Sequence, residues 1–127
     1  MLIKSHVYIL LILIMLPGCG DFFETDISNI EVNLLAPADS LVSTTELQTF
    51  WWDYIDGAYQ YQLRIVNPCF SEIETIIVDS LVNDNKIKCT LSPGIYQWGV
   101  RAVNGNSETD FSIRSLTIIE LNPETEQ

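Results

Sequence analysis

From Ile30 to Glu120 the chain consists of short stretches of alternating apolar and polar residues, closed by turn-forming residues every 8 to 12 positions or so, about the spacing of a small all-β domain. The strictest stretch is Ile95 to Val103, where Tyr96, Trp98, Val100 and Ala102 alternate with Gln97, Gly99, Arg101 and Val103. A repeat of two sends successive side chains to opposite faces of an extended strand, whereas a helix would repeat its apolar residues every third or fourth position. The same reading predicts strands at Glu31 to Leu35, Leu47 to Tyr54, Tyr59 to Val66, Thr75 to Val82, Lys86 to Leu91 and Phe111 to Glu120. Ala36-Pro37-Ala38-Asp39-Ser40, Ile55-Asp56-Gly57-Ala58 and Asn67-Pro68 act as stops, proline because it cannot donate to a ladder. The predicted fold is therefore all-β, a seven-stranded antiparallel sandwich over residues 30–121. Its inward residues are expected to be Trp52, Tyr61, Leu63, Ile65, Ile87, Leu91, Trp98, Val100 and Ala102.

The first residues follow a different rule. Lys4 precedes an uninterrupted apolar run of ten residues, Val7 to Leu16. A helix that crosses a bilayer core takes about 20, so the run reads as a signal peptide. It ends in Leu16-Pro17-Gly18-Cys19, which resembles the lipobox of bacterial lipoproteins. The resemblance implies that residues 1–18 are removed and that Cys19, then the first residue, carries the lipid. Two or three acyl chains, at about 0.8 kcal/mol per buried CH₂, exceed what stable anchoring requires. The partner implied first is thus a membrane. Gly20 and the acidic stretch Asp21 to Asp26 resemble lipoproteins sent to the outer membrane, with the surface side preferred. Residues 19–29 are then an acidic tether, and residues 122–127 a C-terminal tail.

Within the predicted sandwich, Leu91-Ser92-Pro93-Gly94-Ile95-Tyr96-Gln97-Trp98-Gly99-Val100-Arg101-Ala102-Val103-Asn104 resembles the sixth strand of fibronectin type III domains. Phe50-Trp51-Trp52, Asp56-Gly57-Ala58 and Tyr61-Gln62-Leu63 resemble the second-strand tryptophan and third-strand tyrosine of that family. The resemblance extends over residues 32–119. It implies an immunoglobulin-like sandwich in which Tyr96 forms a tyrosine corner, its hydroxyl bonding the backbone upstream near Pro93. It is nearly silent on function, because the same sandwich serves adhesion, carbohydrate binding and passive spacing.

Charge and residue inventory narrow the function. With 17 acidic against 6 basic residues the net charge is -11, and the bases are scattered, which excludes nucleic acid as a partner. The single histidine, His6, lies in the signal peptide, so the working chain lacks an imidazole for a triad, a proton shuttle or a zinc site. The carboxylate pairs Asp53 with Asp56 and Glu72 with Glu74 read as solvated acids rather than a glycosidase dyad. Asp79, Asn83, Asp84 and Asn85 are rich in oxygen but lack the regular spacing and glycine of a calcium loop. No enzyme, no cofactor and no metal are expected.

Two other features stay open. With Cys19 lipidated, Cys69 and Cys89 remain as a pair that an oxidising compartment permits to bridge. Alternatively, Cys89 is a small buried hydrophobe and Cys69 a loop thiol. If Phe50 and Trp52 face inward, period two turns Trp51 outward, either to meet a partner or to lie beneath Lys86 or Lys88. The inverted register, with Trp51 inward, is the alternative. Two function classes follow: a non-catalytic outer-membrane lipoprotein that presents its sandwich as an interaction or spacer module, or a carbohydrate-binding accessory lipoprotein of a glycan-uptake system. Starch-binding outer-membrane lipoproteins also carry such a sandwich behind their anchor, but bind sugar through further domains. With Gln127 close behind the last predicted strand, the first class is preferred.

Overall fold

The computed structural model describes residues 25–122, so the signal peptide, Cys19 and most of the C-terminal tail lie outside the described residues. Eight strands follow one another: β1 Leu34–Ala36, β2 Leu41–Ser43, β3 Leu47–Trp52, β4 Gln60–Cys69, β5 Glu72–Val82, β6 Lys86–Thr90, β7 Gly94–Val103 and β8 Ser112–Ile118. They form a three-stranded sheet ordered β1-β3-β6 and a five-stranded sheet ordered β2-β8-β7-β4-β5. All seven predicted strands are present within shifted bounds. The eighth, β2, was missed, and it pairs in parallel with β8 where the sequence reading had only antiparallel ladders. Three residues are too few to show a period, and β2 exists because its partner lies more than seventy positions away (Leu41↔Leu116).

Alternation becomes burial at the interface of the two sheets. Phe50 and Trp52 from β3 meet Tyr61, Leu63 and Ile65 from β4 and Trp98 and Val100 from β7. Phe50 meets Trp98 edge-on at 5.0 Å between ring centroids, and Trp52 lies 5.7 Å from Tyr61. Such contacts contribute about 0.5–1.5 kcal/mol beyond the area they bury. Among the described residues neither buried indole N–H, of Trp52 or Trp98, meets a hydrogen-bond partner, so both rings serve the core by volume and shape. Ile87, expected in the core, is only partly buried against its margin, because β6 is the edge of the smaller sheet.

Asn67-Pro68 does not stop β4, which runs on to Cys69. The proline is accommodated because pairing with β7 ends at Val66, leaving β5 as the neighbour there, and the β4–β5 register shifts between Asn67 and Pro68. Tyr96 does form the expected corner. Its buried hydroxyl donates to the carbonyl of Ser92 at 2.6 Å, and its ring lies so close over Gly94 that a Cβ there would sit 3.0 Å from the hydroxyl. Tyr96→Phe should lower stability by about 1–3 kcal/mol, because the Ser92 carbonyl then loses its donor. Chemical denaturation of the two proteins measures this; equal midpoints and slopes would refute the corner.

The boundary expected at Ile30 is too late. Ile27 is fully buried in the core, so the segment 19–29 is not all tether. The Asn104 side-chain amide donates to the carbonyls of Thr25 (2.8 Å) and Gly57 (3.1 Å), and the Ile27 amide donates to Ser107 Oγ. Gly57 lies in the left-handed region at φ 89°, and a Cβ there would meet Thr25 Cβ at 3.0 Å. The chain is therefore clamped where it joins the domain, beside the end of β7. It leaves beside the start of β7, where Ile118 pairs with Gly94 and the Ile119 amide donates to the Ser43 carbonyl. At about 3.4 Å per residue, the ten residues of β7 separate the two ends by about 30 Å.

Candidate functional site

The three consecutive aromatics of β3 receive their register from β6. Phe50 faces Ile87 and Trp51 faces Lys86 across the antiparallel ladder. Phe50 and Trp52 are fully buried, while Trp51 is 43% exposed on the outer face of the smaller sheet. The outward register is thus the one adopted. Lys86 Nζ lies 5.5 Å from the Trp51 ring centroid, a cation–π contact of about 0.5–1 kcal/mol at an exposed position. Thr49 faces Lys88, and Leu47 is exposed further along the strand. The outer face of the smaller sheet is therefore an aromatic and basic patch on a strongly acidic chain. At its margin the Tyr54 hydroxyl donates to Asp84 at 2.7 Å, which holds the carboxyl of Asp84 below its usual range and raises the phenol of Tyr54.

The larger sheet carries a cluster that the sequence reading missed. The guanidinium carbons of Arg64 and Arg101 each lie 5.0 Å from the ring centroid of Phe111, and Phe70 packs against the same ring at 5.6 Å. Phe70 covers Gly99, where a Cβ would meet its ring at 3.1 Å. Both cations are paired within the chain: Arg64 with Asp79 at 3.2 Å, and Arg101 with Glu108 at 3.0 Å and with Gln62 Oε1. The cluster closes on itself and has the character of cover for the sheet. The signal for it was present, since Arg64, Gly99 and Arg101 occupy outward positions of adjacent strands. Phe70 and Phe111 stand at strand ends, where alternation gives no direction.

The remaining candidates are dispersed. The bridge considered between Cys69 and Cys89 is not formed: both are free thiols. Cys69 closes β4 in the larger sheet opposite Glu72, whereas Cys89 faces Gln48 in the smaller one. Burial raises the pKa of the Cys89 thiol, which keeps it protonated and poorly nucleophilic. The four oxygen-bearing residues, Asp79 within β5 and Asn83, Asp84 and Asn85 in the turn after it, also go separate ways. Asp79 accepts from Gln62 and Arg64, Asp84 from Tyr54, and Asn83 from Gln60, while Asn85 donates to the Trp52 carbonyl. Asp53 accepts from Asn33, and Glu72 and Glu74 stand exposed on β5.

No protein-family model matches the chain, and no curated protein matches it. Among solved structures, the fibronectin type III domain of the human collagen alpha-1(XX) chain superposes with a TM-score of 0.54 at 16% identity, covering 71% of this chain and 86% of that one. The fibronectin type III domain of human fibronectin type III domain containing protein 3 gives 0.51 at 12% identity, covering 83% of this chain and 99% of that one. At such identities the likeness concerns architecture, and with the strand order, the filled interface and the Tyr96 corner it establishes that the chain folds as a fibronectin type III-like β-sandwich.

Proposed function

We propose that this protein is a lipid-anchored lipoprotein of the outer membrane that works without catalysis, presenting its sandwich as an interaction or spacer module. Trp51, with Lys86 and Lys88 beside it, is the contact this reading assigns. The observation that carries it is the outward indole on a basic face of a chain with net charge -11. An amphipathic ring flanked by donors suits a partner with an acidic or hydroxyl-rich surface. A spacer role has its own support in the entry and exit of the described domain, about 30 Å apart along β7. Anchoring at Cys19 would leave the far end of the domain, at Gly94, pointing away from the lipid. An exposed indole is also what stacking on a sugar ring requires, which favours the glycan-binding accessory as the second reading.

Trp51→Ala separates contact from cover. As a contact, its loss should weaken capture from an outer-membrane extract, or of a glycan panel, by about 2 kcal/mol or more, the scale of an interface hot spot. The thermal midpoint should then change little. Lower stability with capture intact would make the ring a cover for the sheet. Turnover on a glycan or peptide panel that Asp53→Asn abolished would overturn the non-catalytic reading.

A further inference from the structure

A β-sandwich has free sheet edges, and each is a template for another strand unless it is short, charged or covered. Among the described residues the edges are β1 and β6 of the smaller sheet and β2 and β5 of the larger. β1 and β2 have three residues each, and Pro37 directly follows β1. β6 has five residues, two of them Lys86 and Lys88. β5 breaks the pattern in length: its eleven residues include no lysine, arginine or proline, and its register on β4 shifts at two places, leaving Glu74 and Ile77 without a direct partner there. It contains the β-branched run Thr75-Ile76-Ile77-Val78 and leaves Ile73, Ile76, Ile77 and Leu81 exposed. One side of its backbone is bonded to β4, and the other is the margin of the sheet.

The charges on this edge say what it admits. Asp79 is neutralised within the sheet by Arg64 and Gln62. Glu72 and Glu74, at the start of the strand, are exposed. A second copy pairing through β5 would offer no cation to Glu72 and Glu74 of either copy, and would join two bodies of the same strong negative charge. We propose that the free edge of β5 takes up an extended segment of a different protein by strand addition, one that carries Lys or Arg beside Glu72 and Glu74 and aliphatic residues beside Ile76, Ile77 and Leu81. Backbone hydrogen bonds would supply the affinity and the two glutamates the selection. This surface lies on the opposite sheet from Trp51 and depends neither on that residue nor on a lipid anchor.

The test uses short synthetic peptides of alternating threonine and valine, one set with lysines in the C-terminal third and a matched set with glutamates. The lysine peptide should bind, measured by fluorescence anisotropy, and slow amide hydrogen exchange at residues 72–82. The glutamate peptide should bind about tenfold or more weakly, the scale of two surface charge pairs turned from attraction to repulsion. Glu72→Lys with Glu74→Lys should invert that preference, while Trp51→Ala should leave it unchanged. The two peptides on the unaltered protein decide the matter even if the charge-reversed variant does not fold. Equal affinity for both peptides, protection elsewhere than on β5, or self-association of the protein that Ile77→Lys abolishes would each overturn the proposal.

Discussion

Cys19→Ala is expected to remove the protein from the membrane fraction, or to leave an uncleaved precursor, and in either case to abolish labelling by radioactive fatty acid. The effect should be complete rather than graded. Two or three acyl chains buried at about 0.8 kcal/mol per CH₂ would make dissociation negligible, whereas without them a chain of net charge -11 is repelled by an anionic bilayer. Neither remaining cysteine can take over. Cys89 is half-buried in β6 with its thiol held protonated, and Cys69 closes β4 within the folded domain. Because Thr25 is already clamped by Asn104, the six residue steps from Cys19 to Thr25 span at most about 20 Å, so the domain would sit against the lipid surface. Thermal melts of the wild-type and variant domains should coincide, since the described core draws its residues from Ile27 onward. Equal fatty-acid labelling of both proteins would refute the anchor.

What the sequence disclosed about the fold depended on how local the physical cause was. β7 was legible throughout because it lies between β4 and β8 with one face in the core, so its alternation repeats undisturbed. Phe50-Trp51-Trp52 was not, because three consecutive aromatics have no period of their own; Ile87 and Lys86 across the ladder decide which rings turn in. β2 and Ile27 were hidden for a related reason. Leu41-Val42-Ser43 becomes a strand only against β8, and a lone isoleucine in Thr25-Asp26-Ile27-Ser28-Asn29 shows no pattern until Asn104, Ser107 and Gly57 hold it. Cys69 and Cys89, twenty positions apart, look closable along the chain, yet the crossover between β5 and β6 leaves them in different sheets. Of the candidate site, the outward register of Trp51 was legible as one of two registers, and cover by Lys86 or Lys88 as one of two fates of the outward ring; the structure adopts that register with Lys86 beside the ring. Thr75 to Val82 alternates poorly as a sequence, and the structure exposes both faces of β5 from Glu72 to Ile77 while Val78 and Val82 pack against the core.

Ile27→Ala should cost about 2–5 kcal/mol, the range for truncating a fully buried large aliphatic to alanine, which for a domain of this size lowers the thermal midpoint by roughly 10 °C or more. A fragment beginning at Ile30 should lose at least as much, since it lacks the isoleucine and also the Thr25 carbonyl that accepts from Asn104. Gly57→Ala should destabilise from the other side of the same contact. Its φ of 89° disfavours any side chain, and the new Cβ would press on Thr25 Cβ at 3.0 Å and on Ile27 Cγ2 at 3.3 Å. If both substitutions act by releasing residues 25–27 from the end of the sandwich, their costs cannot add, because a segment already released has nothing left to lose. The double variant should then fall short of the sum by about 0.5–3 kcal/mol in a double-mutant cycle read by chemical denaturation. Strict additivity would separate the strained glycine from the clamp, and an Ile27→Ala cost below about 1 kcal/mol, the range of surface substitutions, would return the domain boundary to Ile30.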